Sequence, residues 1–392
     1  MIGSCSISSE MPYPHESEEI GSVRDVYSAS LAPEIQVNTF RNTHRLFATR
    51  KVERGSSVSE MPYTVDTVSD IRFESNDQTY SFQDYITLNR VGGLLVIGDG
   101  QIVHESYHLG NTEETRWMSM SVAKTITAML VGAAVKDGFI ESLEDPVTKY
   151  VETLQGTSYD EVSVRNLLNM TSGVKWDETY TNAESDRRRL LEAQLKQEPG
   201  AMLEVMASLP RVAEPGSVWN YSTGETQVVA ELVQSATGTS LSDYLSEKIW
   251  SPFGMESDAT WWLDAPGGVE VGGSGLAARM RDYGRFGQFL LNSGKVEGEN
   301  VLPPGWMREA TTPVAVEDAA YPYGFMIWPH PNIPGYAHAG AYEAQGIFGQ
   351  KIYVNPNENV VIVVLSAWPE PIYAPPVDEY AFLASVLQTV KD

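Results

Sequence analysis

The feature that most constrains this chain is the placement of its β-forming sequence. One strand-rich stretch, GGLLVIGDGQIVHESYHLG (Gly92 to Gly110), lies in the first third, and Asp99-Gly100 supplies positive-φ turn chemistry between its two β-rich runs. Two more strand candidates, AQGIFGQKIYV (Ala344 to Val354) and NVVIVVLSA (Asn359 to Ala367), lie near the C-terminus, separated by the turn NPNE. Helical patterning dominates between them: from Trp117 to Lys136, in VRNLLNMTSG, and in ETQVVAELVQSATG, where Val228, Val229, Leu232 and Val233 share one face and Gly238 suits a C-terminal cap. DYGRFGQFLLNSG and the closing EYAFLASVLQTV also read as helices. Strands at both ends around a helical block imply an α/β sheet domain interrupted by an all-helical insertion. The expected division is an irregular extension over residues 1–75, disordered toward its tip, a sheet domain from 76–115 and 271–392, and a mainly helical domain over 116–270.

Bulk properties narrow the function. A formal charge of −25 over 392 residues leaves no broad basic surface for phosphates or anionic lipid, so neither nucleic acid nor membrane is expected as a partner. The single cysteine, Cys5, excludes an internal disulfide framework and any multi-cysteine metal site. IGSC before it faintly resembles a lipoprotein cleavage box, but the surrounding sequence is polar and acidic and lacks the apolar core of a leader. With no long uncharged apolar run, a cytoplasmic location is expected.

Two stretches compete for the chemistry. HESYH (His104 to His108) matches the H-E-x-x-H zinc signature, in which two histidines one helical turn apart hold the metal and the glutamate activates its water. Its polar–apolar alternation after a turn fits a strand instead, where positions i and i+4 stand about 13 Å apart, too far for one metal. The other stretch is MSMSVAKTITAML (Met118 to Leu130). Ser121 and Lys124 stand at i and i+3, on one helical face, whereas Ser119 has Val122 at its own i+3 position. A serine hydroxyl needs a base, and a lysine serves as one when apolar burial disfavours its ammonium form. The bland alternative is a lysine snorkelling to water beside two helix-cap serines. Tyr221 in NYSTG can relay protons to and from a serine near an ammonium, and the backbone around Gly346 can approach closely enough to offer an oxyanion an N–H.

S-x-x-K, then the loop tyrosine, then a glycine strand followed by a strongly apolar strand resembles the serine β-lactamase and penicillin-binding-protein superfamily. Within it the chain is similar to the esterases related to class C β-lactamases, most of all to 6-aminohexanoate-dimer (nylon oligomer) hydrolases. The phrases MSVAK, VRNLLNMTSGV, WDETY, PGSVWNYSTGETQ, GGSGLAARMRDYGRFG, GIFGQKIYVNP and VVLSAWP carry the similarity from about Val91 to Pro369. The resemblance implies a β-lactamase-like α/β fold, with an antiparallel sheet flanked by helices and an inserted all-α domain. It implies Ser121 as nucleophile, Lys124 as its base, Tyr221 as proton relay, and the N–H groups of Ser121 and Ile347 as the oxyanion hole. Gln345 and Gly346 become substrate-side strand residues, and Tyr180 of WDETY matches a tyrosine that contacts the substrate amide in the nylon-oligomer enzymes.

The sequence also departs from the family. Gln345-Gly346-Ile347 stands where β-lactamases carry K-[ST]-G or H-[ST]-G, with His338-Ala339-Gly340 as a rival match, and Thr223 replaces an asparagine common among relatives. Both changes favour simple esters or amides over penicillin-like substrates. The expected activity is a serine hydrolase, carboxylesterase or linear amidase, acting on small molecules through an acyl-enzyme without metal or cofactor; oligomeric state stays open. The alternatives are a lactam or D-aminopeptidase-type peptide hydrolase on the same serine, and a zinc hydrolase using His104, Glu105 and His108. An α/β-hydrolase is disfavoured because no G-x-S-x-G elbow occurs. Trp176, Trp219, Trp261, Trp262, Trp328 and Trp368 are candidate cleft or core aromatics.

Overall fold

A computed structural model describes residues 13–391. The two distant strand regions meet in one six-stranded sheet. Its strands are β1 (Val91–Gly98), β2 (Gln101–Tyr107), β3 (Trp328–Pro329), β4 (Tyr342–Gly346), β5 (Gln350–Asn355) and β6 (Val360–Ser366), in the order β3-β4-β5-β6-β1-β2 and antiparallel throughout. The junction is the β6–β1 pair, running from Val360 opposite Gly98 to Ser366 opposite Val91. Four helices cover this sheet or border the site: α1 (Val122–Lys136), α2 (Thr223–Thr237), α3 (Met280–Leu291) and α4 (Glu379–Lys391). β6 reads VVIVVLS without alternation because both sheet faces are covered. Val361, Val363 and Leu365 join the core that holds Phe286 and Phe289 of α3, whereas Val360, Ile362 and Val364 join the one that holds Phe382, Leu383 and Val386 of α4.

Three local expectations change. AQGIFGQKIYV is two strands rather than one, because the chain reverses at Ile347–Gly349, where Phe348 (φ 64°) and Gly349 (φ 82°) adopt left-handed conformations. A Cβ on Gly349 would lie 2.5 Å from the Trp368 ring, so only glycine fits that turn. Trp117, expected to begin a helix, belongs to the strand Arg116–Met118, the edge of a second antiparallel sheet that continues through Leu276–Arg279 and Ala259–Trp262 to Thr49–Val52. The residues expected as an irregular extension carry the helices Val23–Tyr27 and Pro33–Arg41. They are held by long-range partners that no local pattern reveals: Arg41 pairs with Glu18, and the fully buried Phe40 sits 5.7 Å from the Trp117 ring and 5.2 Å from that of Phe348. Cys5, the IGSC box and the tip of that extension lie outside the described residues. Among the described residues no helix is long and apolar enough to cross a membrane.

Candidate active site

The strand Arg116–Met118 delivers the chain to the site. Ser119 N–H donates to Leu276 O at 2.8 Å, Met120 takes a left-handed φ of 46°, and Ser121 then caps α1. A methionine in that region is strained, and such strain persists only where the surroundings over-determine it. The turn presents Ser121 at the foot of a helix buried from Val122 to Ala134. One turn on, Lys124 is 1% exposed, and its Nζ donates to Ser121 Oγ at 2.8 Å and to Gly273 O at 3.1 Å. Burial lowers the lysine to about 7, opposed by the Glu178 carboxylate and assisted by the Arg187 charge. Ser119 makes no such contact; its hydroxyl donates to Met120 O.

Tyr221 precedes Ser222, whose side chain caps α2, so its ring is fixed by the loop-to-helix junction. The ring centroid lies 5.2 Å from Lys124 Nζ and 5.7 Å from the Trp328 ring. Burial holds the phenol protonated well above its ordinary range, with Glu178 adding to the effect and the Ser121 contact opposing it. From the other side, β4 ends at Gly346, where a Cβ would lie 2.8 Å from Ser119 O and 3.0 Å from Ser121 N. Glycine is therefore required for the strand to approach Ser121 this closely. Among the described residues neither the Ser121 nor the Ile347 N–H has a backbone hydrogen-bond acceptor.

The structure thus brings Ser121, Tyr221, Gly346, Ile347 and Tyr180 to one cleft of about 730 Å³, with Lys124 buried behind Ser121. Gln345 borders that cleft, but its amide donates to Glu343 at 2.8 Å, on the α4 side of the sheet. His338 is on the same side, contacting Tyr353 and Tyr380, so its triplet is not at the nucleophile. Trp328 and Trp368 line the cleft; Trp176 and Trp219 pack behind it, and Trp261 and Trp262 are buried in the second sheet. HESYH lies in and just beyond β2. Glu105 is held by Arg281 at 2.8 Å and His104 faces Asp66, and among the described residues no group of three or more His, Cys, Asp or Glu side chains is placed to hold a metal.

Sequence reasoning missed two residues of the candidate site. Gly273 supplies the carbonyl that positions Lys124, and a Cβ there would lie 3.3 Å from Nζ. Glu178 accepts from Trp176 Nε1 and from both the backbone and hydroxyl of Thr223, which ties WDETY to the first turn of α2. Its signal was its spacing two residues before Tyr180, since alternate residues of an extended stretch share a side.

Comparison with known proteins shows the family and the fold. The Beta-lactamase family model matches residues 84–384. A 6-aminohexanoate-dimer hydrolase from Paenarthrobacter ureafaciens is 30% identical over 293 residues, covering 71% of this chain and 72% of that protein. A D-aminopeptidase from Brucella anthropi is 26% identical over 60% of this chain but only 48% of its own length. Among solved structures, a Bacillus anthracis protein provisionally assigned as a 6-aminohexanoate-dimer hydrolase superposes with a TM-score of 0.79 at 23% identity, covering 91% of this chain and 94% of that one. A family VIII carboxylesterase does so at 0.60 and 14%, covering 79% and 94%. These two likenesses establish the fold.

Proposed function

The chain belongs to the Beta-lactamase family, and from that premise we propose that it is a serine hydrolase in which Ser121, Lys124 and Tyr221 cleave carboxylic esters, and linear amides more slowly, through an acyl-enzyme. The observation that carries the reading is the 2.8 Å contact between a fully buried Lys124 amine and Ser121 Oγ. A lysine lowered to about 7 is substantially neutral at neutral pH, and across that contact the serine proton can pass to the nitrogen as oxygen attacks the carbonyl. The carbonyl oxygen becomes an oxyanion held by the Ser121 and Ile347 N–H groups. Tyr221, protonated and beside the amine, gives a proton to the departing alcohol or amine and is reprotonated from Lys124. Water then attacks the acyl-enzyme along the same path and releases the acid.

The cleft supports small, largely apolar substrates. Tyr180, Trp328, Trp368, Ile372 and Tyr373 supply its apolar walls, Glu178 and Glu370 its carboxylates, and no Lys, Arg or His is among its described lining residues. A substrate carboxylate of the kind penicillins carry would find no cation there. The two carboxylates favour, as a second reading, amides bearing a free amine. The test is a chromogenic short-chain ester combined with intact mass after a reactive phosphonate. Turnover and a single adduct on the Ser121 peptide, both lost in Ser121→Ala and kept in Ser119→Ala, are expected; loss only in Ser119→Ala overturns the assignment.

A further inference from the structure

The N-terminal segment reaches the active site. Tyr27, the last residue of the helix Val23–Tyr27, is 2% exposed, and its ring stacks on that of Tyr180 with centroids 6.4 Å apart and planes at 18°. Arg187, near the start of the helix Asp186–Leu195, places its guanidinium carbon 4.3 Å from the Tyr27 centroid and donates from Nη2 to the Tyr27 hydroxyl. The guanidinium is buried, its Nε has no acceptor among the described residues, and its side-chain partners are a phenol and an aromatic face rather than a carboxylate. A buried cation in such surroundings is costly. Arg187, Tyr27 and Tyr180 share with Ser121 the lining of one small void, to which Gly273 also contributes. Tyr27 precedes the 84–384 stretch matched by the family model.

We propose that Tyr27 and Arg187 are a positioning pair for the reaction: Tyr27 seats the Arg187 guanidinium beside Tyr180 and behind Ser121, where its fixed positive charge opposes a second cation at Lys124. The inference rests on Lys124 being the base. Lys124 is faced by Ser121, by the Gly273 carbonyl, by the Tyr221 ring, by the Glu178 charge from the stretch before Tyr180, and by Arg187. Glu178 favours the ammonium form and Arg187 opposes it, and Arg187 likewise counters the rise of the Tyr180 and Tyr221 phenols. Arg187 is faced in turn by the two tyrosines, and its own N–H donates to Asp177 O at 3.0 Å. The segment outside the matched region thus delivers part of the electrostatic setting in which the base works.

The test is the pH profile of kcat/KM for ester hydrolysis, whose acidic limb reports the free enzyme's base. In Arg187→Gln the ammonium form is less opposed, so the limb should move to higher pH by about one unit, with about a tenfold rate loss on its acid side. Arg187→Lys should keep the limb near its original position. Tyr27→Phe, which retains the ring but loses the hydroxyl acceptor, should move it in the same direction by less. A folded Arg187→Gln with an unmoved limb overturns the proposal; if that variant does not fold, an unmoved limb in Tyr27→Phe does so. Failure of the Ser121 adduct in the unmodified protein would instead remove the underlying catalytic reading.

Discussion

Replacing Lys124 with methionine should abolish turnover and yet stabilise the protein at neutral pH. Burial depresses the lysine from 10.5 to about 7, so between those values the unfolded chain binds the proton more readily than the folded one. Stability therefore rises with pH across that window and is lost as pH falls toward the folded value. Linkage makes the cost about 4 kcal/mol at pH 7 and about 1 kcal/mol at pH 10. Methionine removes this cost but forfeits the Nζ contacts with Ser121 and Gly273, worth about 1 kcal/mol each. The net effect is a gain of about 2 kcal/mol at pH 7 and a loss of about 1 kcal/mol at pH 10. For a chain of 392 residues the unfolding entropy near the midpoint is about 0.8 kcal/mol per kelvin, so Tm should rise by about 2–3 °C at pH 7. Thermal unfolding of the natural protein and Lys124→Met at both pH values measures the difference. A gap that does not change with pH refutes the reasoning, since only a lysine already free to ionise in the folded state would give it.

For the natural protein, the acidic limb of kcat/KM should lie near pH 7, with activity rising from pH 6 to 8 as Lys124 loses its proton; a limb near pH 5 would assign the base to a carboxylate. Glu178→Gln removes the charge that favours the ammonium form, so its limb should shift to lower pH, opposite in sign to Arg187→Gln. Gly346→Ala introduces a Cβ against Ser119 O and Ser121 N and should cut kcat by about 10²–10³-fold through the oxyanion site, with KM little changed. A wild-type kcat in that variant would show that β4 does not set the oxyanion geometry.

Much of the site was legible because its logic is local. The i, i+3 spacing selects Ser121 over Ser119 once a helix is assumed, and that helix carries the 2.8 Å contact. The D-G hairpin and the cap at Gly238 are similarly short-range, since turn and cap preferences act over two to four residues. Legibility ended where geometry depends on distant chain. The reversal at Phe348–Gly349 hides inside a run of strand-forming residues, and the strand at Trp117 exists only because Ala278 stands opposite it. Gln345 borders the cleft, and that its amide is taken by Glu343 follows only from the packing.

The sequence by itself singled out Ser121 and Lys124 through their i, i+3 spacing, and the family resemblance added Tyr221 and the glycine strand as candidates for the same chemistry. It also disfavoured the zinc reading, because the rise of a strand sets His104 and His108 about 13 Å apart. Tertiary structure alone brought Gly273 against Lys124, Glu178 against Thr223 and Tyr27 of the 13–75 segment against Tyr180. Gly273 contributes a backbone carbonyl, which every residue possesses and no residue type announces. In the proposed site Glu178 and Arg187 would act through charge across space, and Tyr27 reaches it by stacking on Tyr180. Such interactions depend on distances between elements far apart in the chain, and those distances exist only once the sheets and helices have packed.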